Sequence, residues 1–216
     1  MTMISVYVAA AALCVAVTHA QVFYRGSCPP TPIIKDFDWQ RYLGKWYEQE
    51  KYPVAYQAVG RCWTGTYIKD KYSGEISVRL DFKDIVLNRP RILTVDIGRK
   101  KPYSEPNRLF YTLPSVPLFE DEYEVLATDY DNWTLEYDCQ NQPIGHTTSK
   151  GRCMAAARPS PGPRPAPTAL LVAEIAWILT RAPHPPYAVV REAKAALARL
   201  GVDPGRLERS DTSCFA

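Results

Sequence analysis

The sequence predicts an all-β chain, an eight-stranded up-and-down antiparallel β-barrel with one C-terminal α-helix packed outside it. Three observations predict this. From Gly44 to Cys139, short runs of alternating apolar and polar residues follow one another, each with the period of a strand that has one wet face. Turn residues separate the runs, and no amphipathic helix long enough for a crossover interrupts them, so consecutive strands should pair antiparallel. After Pro186 the apolar spacing changes from two to that of a helix.

The strands follow in order. Trp46 to Lys51 and Cys62 to Lys69 come first. Ile76, Val78, Leu80 and Phe82 then interleave with Ser77, Arg79 and Asp81, after the turn at Tyr72-Ser73-Gly74. Leu93, Val95 and Ile97 repeat the alternation against Thr94 and Asp96, and Arg108 to Leu113 forms a fifth run. Tyr123 and Val125 alternate with Glu122 and Glu124, and after Tyr130-Asp131-Asn132 so do Trp133, Leu135 and Tyr137 with Thr134, Glu136 and Asp138. Ile175 to Thr180 is the eighth. Closing eight strands removes exposed sheet edges and leaves room for one small ligand. Val190, Ala193, Leu197 and Leu200 form the apolar stripe of the helix, with Gly201 placed to cap it.

The ends and the composition limit what the chain does. Residues 1–20 carry no charge, and an apolar run from Ile4 to Val17 leads to Thr18-His19-Ala20, the pattern of a secretory signal peptide cleaved before Gln21. Residues 21–216 then make one domain, secreted and extracellular. A formal charge of +3 gives no reason to expect a nucleic-acid partner. Five cysteines follow the signal, Cys28, Cys62, Cys139, Cys153 and Cys214, and wide spacing in a secreted chain reads as disulfides with one thiol left over. No pair has the close spacing of a metal site, so no metal is expected. Asn132-Trp133-Thr134 is a glycosylation sequon.

Three motifs stand in order on the strands found by periodicity. Gly44-Lys45-Trp46 opens the first, Thr128-Asp129-Tyr130 lies at the hairpin between the sixth and seventh, and Arg181 follows Trp177-Ile178-Leu179-Thr180 at the end of the eighth. With these motifs the chain resembles the lipocalins. Tyr42-Leu43-Gly44-Lys45-Trp46-Tyr47-Glu48, Gly60-Arg61-Cys62 and Leu126-Ala127-Thr128-Asp129-Tyr130 are similar to the apolipoprotein D and insect bilin-binding branch. The resemblance implies that Gly44, Trp46, Thr128, Asp129, Tyr130 and Arg181 are structural, with the Arg181 guanidinium over the Trp46 indole at the closed end. It also implies the pairs Cys28–Cys139 and Cys62–Cys214, which leaves Cys153 as the free thiol, open to an intermolecular disulfide and so to a disulfide-linked dimer.

A carrier of a small hydrophobic ligand, a bilin, retinoid, steroid or fatty acid, is the expected function, with no cofactor beyond that ligand. The apolar alternation set should line the cavity: Tyr67, Val78, Leu80, Val95, Tyr111, Tyr123, Val125, Leu135, Tyr137 and Trp177. The premise is that strand faces bearing charge turn outward. Aromatics with polar tips both stack on a ligand and orient it. A ligand of about 20 to 40 heavy atoms at roughly 0.3 kcal/mol each would bind in the micromolar to nanomolar range. No catalytic residues are expected, since only His146 and His184 remain after the signal, the first in a turn-rich stretch and the second between prolines. A thiol-dependent, isomerase-like lipocalin enzyme is the rival, and against it Cys153 lies in or beside the insert rather than in a barrel strand. The third class contacts lipoprotein, membrane or receptor through mouth loops, for which Pro114, Val116, Pro117, Leu118 and Phe119 are candidates.

The chain departs from the resembled family at about 145–172, a Pro/Ala/Arg-rich insert between the seventh and eighth strands. Arg158-Pro159-Ser160-Pro161-Gly162-Pro163-Arg164-Pro165 cannot extend either strand, because proline has no amide hydrogen for a ladder. A lid over the barrel mouth and retained non-coding sequence are the two readings, and the abrupt change of composition favours the second.

Overall fold

Strands with one apolar face gain most by curling that face inward, and here the sheet closes completely. The computed structural model describes residues 22–54, 57–99, 105–112, 120–143 and 170–215. The expected signal peptide, Cys153, His146, Pro114 to Phe119 and residues 145–169 of the expected insert lie outside them. The described elements are β1 (Val22–Arg25), α1 (Trp39–Tyr42), β2 (Gly44–Lys51), β3 (Gly60–Lys69), β4 (Ile76–Asp84), β5 (Pro90–Arg99), β6 (Arg108–Thr112), β7 (Glu120–Thr128), β8 (Trp133–Pro143), β9 (Leu170–Thr180), α2 (Tyr187–Arg199), a short 3-10 turn (Pro204–Arg206) and β10 (Glu208–Arg209).

Strands β2 to β9 pair antiparallel in chain order, and β9 returns to pair with β2, closing an eight-stranded up-and-down barrel. At the seam Tyr47 lies opposite Thr180 and Lys51 opposite Trp177, with a bulge between Glu48 and Glu50. Strands β1 and β10 are short additions outside the barrel, pairing with β9 and β2. Their few residues carry no period strong enough to read from sequence. Strand β9 begins at Leu170 and pairs with Pro143, so residues 170–172, expected in the insert, belong to the strand.

Helix α2 lies against the outer face of β8 and β9, where Ala193, Ala196 and Leu197 pack on Leu135, Tyr137, Ala176 and Ile178. Leu197 is fully buried, and its loss to alanine would cost about 2–5 kcal/mol. Gly201, at φ +80°, ends the helix, and the Val202 amide donates back to the Leu197 carbonyl (3.3 Å).

The other end of the barrel is sealed. Helix α1, capped by the Asp38 carboxylate, lays Phe37, Trp39 and Tyr42 against Trp46, Tyr67, Val125 and Leu179. The Arg181 guanidinium lies 3.6 Å from the Trp46 ring centroid. It also donates to four main-chain carbonyls, those of Arg41 (2.6 Å), Tyr42 (3.2 Å), Lys45 (3.1 Å) and Tyr130 (3.0 Å). Gly44 supplies the left-handed backbone turn beside it. Its φ is +95°, and a β-carbon there would sit 3.4 Å from an Arg181 guanidinium nitrogen. The Thr128–Trp133 turn wraps the Asp129 carboxylate, which accepts from the amides of Asp131, Asn132 and Trp133.

Two disulfides fasten the ends, Cys28–Cys139 and Cys62–Cys214, across 111 and 152 residues of chain. Loops of this length are worth roughly 5 kcal/mol each in the chain-entropy account. Replacing Arg181 with alanine removes a cation–π contact and four hydrogen bonds from a partly buried site. It should lower stability by about 2 kcal/mol, or about 4–8 °C of melting temperature in a chain this size. Ligand affinity should hold, and a fall in affinity at unchanged melting temperature would move Arg181 into the binding site.

Candidate ligand-binding site

The bore divides by depth. Near the sealed end Tyr42, Trp46 and Val125 are fully buried and Tyr67 and Val78 nearly so. Toward the mouth, residues that face inward by register, Leu80, Phe82, Leu93, Tyr111, Asp121, Gln140 and Trp177, keep partial exposure, as does Glu136 at the floor. Inward side chains that stay accessible line an unfilled space. The mouth half is therefore the candidate site.

Most of the expected lining lies there or at its floor. Val78, Leu80 and Val95 share the inner face of β4 and β5, since Val78 pairs with Val95 and Leu80 with Leu93. Tyr67 is inward on β3, Tyr111 on β6, and Tyr123 and Val125 on β7. Trp177 is inward on β9, and its indole N–H donates to Gln57 (3.1 Å), whose amide donates in turn to Glu48 (2.9 Å).

Leu135 and Tyr137 do not line the bore, which corrects the sequence expectation. Both are fully buried beneath α2 on the outer face. The Tyr137 hydroxyl donates to Glu174 (2.7 Å), which also holds Arg206 (2.5 Å). The reason is that α2 needs an apolar seat, and β8 supplies it with its apolar face. Its other face, Thr134, Glu136 and Asp138, then turns inward. The apolar stripe of the helix was the signal that could have found this, because a helix packed outside requires some strand with an apolar outer face.

The inverted strand brings carboxyls into the barrel. Glu136 Oε1 accepts from the hydroxyls of Tyr67 (2.5 Å) and Tyr42 (2.6 Å), and the Tyr67 and Tyr123 hydroxyls lie 3.2 Å apart. Glu136 Oε2 receives no hydrogen bond from the described residues. Burial raises all three phenols, with the Glu136 charge adding to it, so they remain protonated donors. Closer to the mouth, Asp121 accepts from Gln140 (2.6 Å) and Tyr111 (3.4 Å), and Asp138 beside them is 6% exposed. Burial raises the carboxyls of Glu136, Asp121 and Asp138 above the usual carboxylate range, and the Asp121 charge pushes Asp138 further.

No cluster of residues that could hold a metal occurs among the described residues. His184 lies on the outside, its ring 3.0 Å from the Phe215 carbonyl, and Asn132 is exposed in the turn at the sealed end, its amide donating to Asp129 (2.8 Å).

A carboxyl raised by folding holds its proton in the folded state after the unfolded chain has lost it. Its contribution to stability is therefore present below the ordinary carboxylate range, near pH 4, and is lost as pH rises through the raised value. Asp138→Asn should leave stability at pH 4 unchanged and raise it at pH 7. Thermal melts of both proteins across that range check the sign, and a variant less stable at pH 7 would refute the assignment.

No family model matches the sequence. Apolipoprotein D of Cavia porcellus is 38% identical over 134 residues, 59% of this chain and 65% of that protein. The bilin-binding protein of Pieris brassicae is 27% identical over 127 residues, 58% of this chain and 65% of that one. The chain thus matches just under two thirds of the length of each. In structure, insecticyanin from Manduca sexta superposes with a TM-score of 0.68 at 20% identity, over 91% of this chain and 90% of that one. That likeness establishes the fold.

Proposed function

We propose that the chain, similar in sequence to apolipoprotein D and the insect bilin-binding protein and lipocalin-like in fold, is a secreted, non-catalytic carrier that holds one small, largely apolar molecule in its bore. One observation carries the reading. A barrel sealed at one end keeps accessible inward side chains at the other, with Leu80, Phe82, Leu93 and Trp177 offering apolar and aromatic surface. Burial of such a ligand supplies the affinity, and a few polar groups orient it. The relatives support it, one of them named for binding a bilin. Two disulfides accord with passage through an oxidising compartment. Glycosylation at Asn132 and a free Cys153 thiol able to link two chains complete the proposal.

Organic extraction of native protein, followed by a mass spectrum and a visible absorption scan, tests the carrier function directly. Protein that yields no apolar molecule and binds none of a bilin, retinol, a steroid or a fatty acid would refute it. Titrating retinol into wild type should quench tryptophan emission. Trp177→Phe should remove a clear part of that quench, and an unchanged amplitude would take Trp177 out of the site.

A second reading, contact with a lipid surface, is favoured by the β4–β5 loop. Ile85, Val86 and Leu87 are 54, 84 and 53% exposed in succession, next to Val59 at 54%, whose carbonyl accepts from the Ile85 amide. Val86→Asp should reduce co-sedimentation with phosphatidylcholine vesicles while stability stays within about 0.5 kcal/mol. Equal co-sedimentation would end this reading.

A further inference from the structure

The acidic wall of the bore is unbalanced. Glu136 and Asp138 face inward on β8, and Asp121 faces them from β7. Among the described residues, the inward lysine away from the rims is Lys51, and it is already paired with Glu48 (2.8 Å). Lys69 and Arg91 stand at the two rims. The opposite wall, on β4 and β5, is Val78, Leu80, Leu93 and Val95. A ligand lying along this bore meets hydrocarbon on one side and hydrogen-bond acceptors on the other.

A second observation points independently to a ligand. The Trp63 indole lies on the inner face of β3, stacked on Phe82 with centroids 4.0 Å apart, and is 5% exposed. Its N–H meets no acceptor among the described residues. A buried donor is expensive to leave unmatched, so this one, toward the mouth, waits for an acceptor atom. Deeper in, Glu136 keeps partial exposure, and its Oε2 accepts from no described residue.

We propose that the bore selects an apolar molecule whose deep-seated polar group is a nitrogen-borne donor, an amine in its protonated form above all, and discriminates against one that presents a carboxylate. This inference rests on the carrier reading and narrows it. A ligand ammonium gives Glu136 Oε2 a donor in charge-assisted form and compensates a wall with no free cation among the described residues. A ligand carboxylate brings a like charge into a low-dielectric space beside three acids, and like charges there repel strongly.

Matched twelve-carbon probes test it. Dodecylamine, dodecanol and dodecanoate are each titrated into the full chain below their aggregation concentrations, with retinol as reference ligand. The amine is expected to bind at least about tenfold more tightly than the carboxylate, a difference of about 1.4 kcal/mol. Glu136→Gln, which keeps the shape and an acceptor for both tyrosine hydroxyls, should narrow that gap by weakening dodecylamine more than dodecanol. Should Glu136→Gln not fold, Asp138→Asn with the same probes takes its place. Dodecanoate binding as tightly as dodecylamine, or a gap unmoved by both substitutions, overturns the inference and leaves the carrier reading standing. Failure of all four molecules to bind overturns the carrier reading itself.

Discussion

The seam between β2 and β9 is the constraint on which the rest of the molecule depends. Seven of the eight strand contacts join neighbours in sequence, and a chain can make those without ever becoming a barrel. The eighth brings together segments more than a hundred residues apart, and only it turns two exposed edges into an interior. Its stability is concentrated at the sealed end, where the Arg181 side chain, just past β9, grips the carbonyls of Arg41, Tyr42 and Lys45 at the start of β2. The same guanidinium covers Trp46 and holds the Tyr130 carbonyl of the β7–β8 turn. One side chain therefore ties three separate parts of the chain at the point where closure is entropically most costly.

Closure then sets the polarity of the bore. Once the barrel exists, every strand has an inside and an outside, and α2 claims part of the outside for apolar packing. Strand β8 must satisfy both demands with a single alternating pattern. Seating Leu135 and Tyr137 under the helix means that Glu136 and Asp138 go in, and the barrel accommodates them with Tyr42, Tyr67 and Gln140 as partners. Packing on the outer surface and chemistry of the inner one are thus the same choice, made by one register.

This is also why the fold was legible in the sequence and the site only in part. Alternation is local, so the runs Ile76–Phe82 and Leu93–Ile97 announce their strands, and the stripe Ala193–Leu197 its helix. Those runs belong to strands whose outer face meets water, and there the apolar face is the inner one. For β8 the alternation is equally clear, but it states only that the two faces differ. Which of them points inward depends on α2, more than fifty residues away, and no window on β8 holds that information. Trp177 escaped the ambiguity because β9 is apolar on both faces, as a strand covered on both sides must be. The strands β1 and β10 were missed for a different reason. They exist because a sheet edge is there to receive them.

The two disulfides have a topological consequence. Strand β2 lies between Cys28 and Cys62, and β9 lies between Cys139 and Cys214. Joining Cys28 to Cys139 and Cys62 to Cys214 makes these two stretches into one covalent ring that carries both halves of the seam. If the hydrogen bonds between β2 and β9 break, the two strands cannot diffuse apart. Each remains at high effective concentration for the other, of the order reached by short tethers, about millimolar. A seam that parts can then reclose as an intramolecular event, with both of its strands still held in the same ring.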